Sequence, residues 1–268
     1  MDLKPKVKDP PHPRKVPERI ESMTLEGVSF SYPGSGRQSV QGINLEVSRG
    51  RMVALVGENG SGKTTLIKLL ARLYDPDQGR ILINGLDLRG FRIQDLRREI
   101  SILMQDYGRY NMTFKENIQI GAPEADDLQE VERAARSTGA DQVMRDLPEG
   151  YDTVLGSWFE GSKEISPGQW QRVALARAFF RPCQIMVIDE PTSAMDPNGE
   201  AKVLHEFRER ARDKVAIIIS HRLSAAREAD MIYFLSAGKI IESGKHDELV
   251  RSGGEYARLF RLQAEGYR

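Results

Sequence analysis

Residues 57–65 read Gly57-Glu58-Asn59-Gly60-Ser61-Gly62-Lys63-Thr64-Thr65 and fit the pattern G-x-x-x-x-G-K-[ST] of a phosphate-binding loop. Glycines in such a loop let the backbone curl so that successive N–H groups point at the phosphates, with no Cβ in the way. The Lys63 ammonium can then reach the β- and γ-phosphates of a nucleotide, and the Thr64 hydroxyl can bind Mg²⁺. The loop therefore predicts a nucleoside triphosphate site.

The segments on either side of the loop provide the context that this pattern requires. Residues 52–56 are an apolar run typical of a buried strand, and residues 65–71 have the spacing of a helix. The phosphates would therefore lie at a helix N-terminus, where free backbone N–H groups and the helix dipole favour an anion.

Composition and charge narrow the class of protein. The chain has 268 residues, 40% of them hydrophobic and 29% charged, which suits one large or two small domains. Its 39 basic and 39 acidic side chains balance, so no global basic field favours a nucleic-acid partner. The single cysteine excludes an internal disulfide, and there is no apolar run of about 18 residues that could span a membrane. We expect a soluble globular chain.

The distribution of proline and apolar residues predicts the order of the structural elements. Residues 1–21 are rich in proline and basic side chains, which is typical of an extended, mobile linker. Residues 23–30 and 40–47 alternate with period two and predict antiparallel strands, and residues 80–85 predict a further edge strand. A small helical subdomain is predicted at about 114–148. Alternating strands and helices elsewhere predict a mainly parallel sheet with its ligand at the carboxyl ends of the strands.

Two acidic residues follow a strand that is predicted to be buried on both faces. The strand is residues 185–188, and Asp189 and Glu190 come directly after it. A carboxylate at this position can bind the hydration shell of Mg²⁺, which suits Asp189. Glu190 is then the candidate general base or water-positioning residue for attack on the γ-phosphate.

A short motif lies upstream of the acidic pair, with the sequence Ile165-Ser166-Pro167-Gly168-Gln169. Together with the phosphate loop and the acidic pair, it resembles the ATP-binding-cassette (ABC) family, whose signature reads L-S-G-G-Q. The family also has an aromatic residue ahead of the loop, a glutamine at a strand end, the sequence S-A-L-D and a later histidine. These are matched in order by Tyr32, Gln105, Ser193-Ala194-Met195-Asp196 and His221, so the resemblance covers residues 22–262.

The resemblance implies an α/β fold: a P-loop NTPase core with a mainly parallel sheet, an N-terminal antiparallel β subdomain and a helical signature subdomain. It also implies a head-to-tail dimer in which each ATP lies between one cassette's phosphate loop and the other's signature. ATP and Mg²⁺ are the implied cofactors. The implied site residues are, for catalysis, Glu190, His221 and Gln105; for nucleotide binding, Tyr32, Gly57, Asn59, Gly60, Ser61, Gly62, Lys63, Thr64, Thr65, Ser166, Gly168 and Gln169; and for the metal, Thr64, Gln105 and Asp189.

Pro167 departs from the family's signature, because proline lacks a backbone N–H and fixes φ at about −65°. If Ser166 is the N-cap of a helix, Pro167 falls at the first helical position, where proline is tolerated. Gln169 can then complete a capping box. We therefore expect the helix to form and the site to work, with slower hydrolysis.

Other segments resemble the nucleotide-binding domain of ABC exporters, in which the cassette follows six membrane helices on one polypeptide. This implies that residues 1–21 are a linker to a missing membrane domain and that residues 22–268 are the cassette, with the helical subdomain at about 107–180. Either the chain is excised from a longer exporter, which the proline-rich start favours, or it is a separate subunit. The implied partners are a second cassette and a transmembrane domain at the cytoplasmic face of the cell membrane, without nucleic acid.

The contact with that membrane domain is expected at residues 105–111 and 153–161. The second segment matches an exporter loop of the type T-E-V-G-E-R-G, but it contains the additional aromatic pair Trp158-Phe159. These two side chains could instead belong to a local core.

Two other functions stay open. A soluble ABC-type ATPase could act on DNA or ribosomes, although the short spacing of roughly 100 residues between phosphate loop and signature, the single phosphate loop and the balanced charge disfavour it. A cassette that binds ATP without hydrolysis could be a regulatory partner. Pro167 favours this alternative, whereas Glu190 and His221 argue against it.

Overall fold

The chain divides into two compact units. Their structure is a computed structural model that describes residues 7–125, 127–192 and 195–266. Within these ranges, no helix combines the length and apolar character that crossing a bilayer requires.

The described residues form ten β-strands and ten α-helices. The strands are β1 Ser22–Phe30, β2 Val40–Ser48, β3 Arg51–Gly57, β4 Gln78–Ile83, β5 Leu86–Asp87, β6 Ile100–Leu103, β7 Ile185–Asp189, β8 Val215–Ile219, β9 Met231–Ser236 and β10 Lys239–Gly244. The helices are α1 Lys63–Leu70, α2 Ile93–Arg98, α3 Phe114–Gln119, α4 Leu128–Thr138, α5 Ala140–Arg145, α6 Pro167–Phe180, α7 Pro197–Ala211, α8 Leu223–Arg227, α9 His246–Ser252 and α10 Glu255–Gly266.

An antiparallel sheet lies in the first unit, which comprises the described parts of Met1–Ile100, Cys183–Asp189 and Arg210–Arg268. Its strand order is β2-β1-β4-β5, so the antiparallel pairing of the first two strands is confirmed. The strand predicted at residues 80–85 is present as β4, but its predicted edge position was wrong, because β4 pairs with β1 on one side and with β5 on the other. Asn84 and Gly85 both have positive φ and form the tight turn that returns the chain as β5.

The larger sheet has the order β10-β9-β3-β8-β7-β6. Strands β9, β3, β8 and β7 run parallel and β10 is antiparallel, which confirms the predicted mainly parallel sheet. Strands β7 and β8 are buried at every position, as their continuous apolar, β-branched sequences indicate.

The hydrogen-bond register of this sheet aligns three strand ends. Asp189 of β7 pairs with Ile219 of β8, and Ile219 pairs with Leu55 of β3. The carboxyl ends of these parallel strands therefore meet at one edge of the sheet, which is where ligands bind in open α/β sheets.

Helices make up most of the second unit, which comprises Ser101–Pro182 and the described parts of Glu190–Glu209. Helix α6 packs against α3, α4 and α5. The core between them includes Phe114, Val131 and Trp170, and the Trp170 side chain is 1% exposed. The unit starts earlier than the predicted 107–180 and also contains a segment that follows Asp189.

The described part of residues 1–21 makes hydrogen bonds to the rest of the first unit, so the prediction that this linker is mobile was wrong for these residues. The guanidinium of Arg72, 2% exposed, donates to the carbonyl oxygens of Lys8 and Phe91 at 2.9 and 2.8 Å. The Asp9 carboxylate accepts from the backbone N–H of Ile93 at 2.7 Å, which caps the start of α2. A buried guanidinium needs acceptors for its five donors, and residue 8 supplies one of them.

Replacing Arg72 by methionine would keep an unbranched side chain but remove the donor to the carbonyl of Phe91, a fully buried residue. We expect the free energy of unfolding to fall by about 1–3 kcal/mol, because a buried acceptor is left unsatisfied. Urea denaturation measures this change. The matched control is Arg98→Met at an exposed position of α2, which should shift the free energy of unfolding by less than about 0.5 kcal/mol. Equal effects of the two substitutions would contradict the role given to Arg72.

Candidate functional site

The phosphate loop links β3 to α1 and has two positions that only glycine can occupy. Gly57 has φ +150°, and a Cβ there would lie 2.1 Å from the carbonyl oxygen of Leu235. Gly62 has φ +109°, and a Cβ there would lie 2.7 Å from the carbonyl oxygen of Ser39. Both positions combine a left-handed backbone with close contact to another strand or loop. The glycines of the motif therefore shape the loop before any ligand binds.

Lys63 holds this loop together from inside. The residue is 7% exposed, and its ammonium donates to the carbonyl oxygens of Gly57 and Glu58 at 2.8 and 2.9 Å. A buried ammonium requires such partners, since its desolvation is otherwise unfavourable. Thr64 follows at the exposed start of α1, and the N-cap residue of this helix, Gly62, has no side chain that could cap it. Its first N–H groups are therefore suited to an anionic ligand.

Tyr32 lies beside α1, where an aromatic residue for adenine was predicted. Its hydroxyl is 3.3 Å from Oγ1 of Thr65, and the Lys68 ammonium lies 5.3 Å from the centre of its ring. The rings of Phe30 and Tyr74 both contact it edge to face, with ring centres 5.1 and 5.4 Å from its own. The first unit thus brings Tyr32 and the phosphate loop together, with Asn59 and Gly60 exposed at the tip of the loop.

Asp189 and His221 reach the same edge of the sheet as the phosphate loop. Asp189 is 3% exposed and lies level with Leu55, which is two residues before Gly57. His221 is exposed two residues after the end of β8, and the N–H of the intervening Ser220 donates to the Leu55 carbonyl at 3.3 Å. The phosphate loop and Asp189 therefore lie on either side of the end of β8, and His221 follows that strand end.

Within the second unit, Gln105 and Glu190 are in direct contact. The Gln105 amide donates to the Glu190 carboxylate at 3.1 Å, and the Gln171 amide donates to the Glu190 carbonyl at 2.9 Å. Glu190 is 8% exposed and has φ +51°, a conformation that is uncommon for a residue with a Cβ. Strained backbone held by surrounding contacts is typical of functional positions. The carboxylate is thereby oriented by its neighbours.

The signature motif has the predicted helix start. Ser166 is the N-cap of α6 and accepts from the N–H of Gln169 at 3.3 Å, while the Gln169 side chain accepts from the N–H of Ser166 at 2.8 Å. Pro167 occupies the first helical turn, where its missing N–H costs no helical hydrogen bond. Gly168 follows in the same turn. The capping box is confirmed, and it occupies the Gln169 amide oxygen.

Sequence reasoning missed three residues that hold these groups in place. Gln171, 2% exposed, lies on the buried face of α6, where its polar side chain among apolar neighbours was the available signal. Tyr107 donates from its hydroxyl to the Pro167 carbonyl at 3.0 Å. Gln263 contacts the segment that follows β8. No local pattern announces the last two contacts, because they join residues far apart in sequence.

Two further predictions concern exposed positions. Trp158 and Phe159 are 81% and 59% exposed, so the alternative of a local core is wrong for both. Asp196 is exposed and accepts from the N–H of Gly199 at 2.9 Å, which lowers the pKa of its carboxyl group. Ser193 and Ala194 of the same predicted motif lie outside the described residues.

Comparison with known proteins extends these observations. The curated subtilin transport ATP-binding protein SpaT of Bacillus subtilis is 40% identical over 252 residues, which cover 92% of this chain and 41% of SpaT. The ATP-dependent lipid A-core flippase of Chromohalobacter salexigens is 41% identical over 249 residues, covering 92% of this chain and 42% of the flippase. The chain thus spans less than half the length of these relatives.

A solved structure and a family model match as well. The structure of a bacterial Atm1-family ABC exporter with ATP bound matches with a TM-score of 0.91 at 36% identity, covering 98% of this chain and 45% of that one. The family model described as ABC transporter matches residues 40–193, more than half of the chain. The protein therefore belongs to the ABC transporter family and carries its ATP-binding domain.

Proposed function

We propose that this chain is an Mg²⁺-dependent ATPase. Two copies of it would close around ATP as a dimer and thereby drive export through a membrane domain. The observation that carries the proposal is the glycine-shaped loop around the buried Lys63 ammonium. Asp189 lies level with Leu55 of β3, the strand that leads into this loop. The ammonium can exchange these carbonyl oxygens for the oxygens of a bound phosphate, because charged phosphate oxygens are stronger hydrogen-bond acceptors.

Binding of the adenine and of the phosphates is assigned to residues of the first unit. Tyr32 would stack on adenine, and the N–H groups at the start of α1, with Lys63, would bind the phosphates. The hydroxyl of Thr64 and the carboxylate of Asp189 are hard oxygen donors of the kind that Mg²⁺ prefers, and Gln105 is assigned to the metal from the family's pattern. Bound Mg²⁺ would neutralise charge on the β- and γ-phosphates.

Hydrolysis is assigned to Glu190, which directly follows the proposed metal carboxylate in the chain. Its carboxylate would orient a water molecule and accept its proton as the oxygen attacks the γ-phosphorus. The bond from this phosphorus to the bridging oxygen breaks, and ADP leaves. The contacts of Gln105 and Gln171 with Glu190 support this role, because a general base must be held in place. His221 would contact the γ-phosphate.

The signature is assigned to the ATP of a second copy of the chain. The Ser166 hydroxyl and the backbone N–H of Gly168, at the N-terminus of the 14-residue helix α6, would supply donors and a positive dipole end to that γ-phosphate. Gln169, as the capping partner of Ser166, would keep this hydroxyl in position. One copy alone would therefore bind ATP but lack part of the charge stabilisation for hydrolysis.

Coupling to export rests on the relatives. SpaT, the flippase and the Atm1-family exporter are transport proteins by name, and each is more than twice as long as its match to this chain. We propose a transmembrane domain as partner at the cytoplasmic face of the membrane, with residues 1–21 as the linker to it and residues 22–268 as the cassette. The exposed aromatic pair Trp158 and Phe159 supports a contact with that partner.

Replacing Lys63 by alanine removes the ammonium that the loop encloses and that would bind the phosphates. We expect ATPase activity to fall by at least about a hundredfold, because removal of one electrostatic partner of the transferred phosphate has effects of this size. ATP should also no longer raise the temperature of unfolding. A phosphate-release assay and a thermal melt with ATP and Mg²⁺ measure the two effects.

The control for this test is Lys239→Ala, which removes an exposed ammonium at the start of β10. It should keep both the activity and the ATP-dependent shift. Undiminished hydrolysis by the Lys63→Ala variant would contradict the proposed site.

Replacing Pro167 by glycine restores a backbone N–H in the first turn of α6. We expect kcat to rise roughly tenfold, because a hydrogen bond to a charged group is worth about 1.5–3 kcal/mol. The free energy of unfolding should fall by about 0.5–1 kcal/mol, since glycine gives the unfolded chain more freedom.

The matched substitution is Pro148→Gly, at an exposed position that follows α5. It should lower the free energy of unfolding without changing kcat. If Pro167→Gly leaves kcat unchanged, proline in the signature does not limit turnover.

A further inference from the structure

One side chain of α10 makes two hydrogen bonds to the segment that carries His221. The Gln263 amide donates from Nε2 to the carbonyl oxygen of His221, and its Oε1 accepts from the N–H of Leu223 at 3.0 Å. One side chain thus binds the backbone at two positions on either side of Arg222. A carboxamide can donate through its nitrogen and accept through its oxygen at once, which is what these two bonds require.

The backbone on either side of His221 makes further hydrogen bonds. Before it, the N–H of Ser220 donates to the Leu55 carbonyl of β3, and the Ser220 hydroxyl accepts from the N–H of Arg222 at 2.9 Å. After it, α8 begins at Leu223, and the side chain of its N-cap residue, Arg222, makes no capping hydrogen bond to the first turn. Gln263 supplies the acceptor for that first N–H, a group that a helix leaves without an internal partner.

Helix α10 is itself anchored, so it can serve as a fixed support. Its first N–H groups, from Glu255 and Tyr256, donate to the Glu242 carboxylate at 2.6 and 3.3 Å. The Tyr256 side chain is fully buried, and its hydroxyl contacts Nδ1 of His246 at 2.8 Å. Burial raises the pKa of Tyr256 to about 12, so its hydroxyl stays protonated. The far end of the helix can therefore position the Gln263 side chain reproducibly.

The same helix also contacts the phosphate loop. Arg258 lies one turn and a half before Gln263, and its guanidinium is 3.5 Å from the Glu58 carboxylate. This ion pair is solvent-exposed and contributes little stability by itself. It nevertheless shows that α10 borders both the loop proposed to bind phosphate and the segment that carries His221, within one unit of the chain.

We propose that Gln263 is a positioning residue that holds His221 in the orientation needed to contact the γ-phosphate. The inference rests on the function proposed for His221. Because Gln263 binds the backbone before and after Arg222, it limits rotation of the segment and fixes the direction of the His221 Cα–Cβ bond. Loss of either bond lets the imidazole move, and displacements of about 1 Å can lower a rate by up to about a hundredfold.

This role predicts an effect that depends on the γ-phosphate. ATP has the group that His221 would contact and ADP lacks it, so Gln263 should influence the affinity for ATP and leave that for ADP unchanged. A purely structural role of the side chain would weaken the binding of both nucleotides or lower stability alone. The ratio of the two dissociation constants therefore separates the two roles.

The test uses Gln263→Ala and Gln263→Glu in the full chain. The glutamate keeps the length and the acceptor for Leu223 but cannot donate to the carbonyl of His221. Both variants should lower kcat by about tenfold and weaken ATP binding, with the dissociation constant of ADP changed less than about twofold. The control is Leu262→Ala on the same helix, 53% exposed, which should leave all these quantities unchanged.

A double-mutant cycle with His221→Ala completes the test. If Gln263 acts through the histidine, Gln263→Ala should lower kcat no further in the His221→Ala background. An equal loss in both backgrounds, or a parallel loss of ATP and ADP affinity, overturns the inference and leaves the proposed function intact. If His221→Ala alone keeps full kcat and full ATP affinity, the role proposed for His221 fails, and the inference fails with it.

Discussion

The parallel register of β3, β8 and β7 is the constraint on which the candidate site depends. It places Leu55, Ile219 and Asp189 at the same level of the sheet. The phosphate loop and the segment with His221 therefore start at the edge where the buried Asp189 carboxylate also lies. Successive side chains of a strand point to opposite faces, so a slip of one residue would move Asp189 out of level with Leu55 and turn its side chain to the other face of the sheet. The continuous apolar sequences of β7 and β8 suit strands that are covered on both faces, which keeps this pair inside the sheet.

The phosphate loop adds a second, local constraint. The enclosed Lys63 ammonium gives up hydration, and the carbonyl oxygens at positions 57 and 58 compensate for it. Gly57 lies so close to the carbonyl of Leu235 that the loop can approach β9 only without a Cβ. The loop therefore has its shape before nucleotide arrives, which reduces the entropy lost on binding. In the second unit, the capping box of Ser166 and Gln169 plays the same part for the signature, and it explains why proline is compatible with that helix.

Most of the fold followed from patterns that are local in sequence. Alternation predicted β1 and β2, continuous apolar runs predicted β3 and β7, and the start of α6 followed from Ser166, Pro167 and Gln169. The two-residue β5 was missed because it depends on the turn at Asn84 and Gly85, which is too short to leave a periodic pattern. The motifs indicated which residues form the candidate site, whereas its supports were not predictable. Gln263 meets His221 across 42 residues and Arg72 meets Lys8 across 64, and such contacts arise from tertiary packing alone.

The central claim is that two copies of this chain share their ATP sites, and light scattering on the Glu190→Gln variant tests it most directly. The substitution removes the carboxylate proposed to accept the proton from water, so ATP should remain bound and hold the closed dimer. The account predicts that the 30.2 kDa chain doubles in mass when ATP and Mg²⁺ are added and stays monomeric with ADP. A chain that binds ATP, as shown by its raised temperature of unfolding, yet remains monomeric would contradict the shared site.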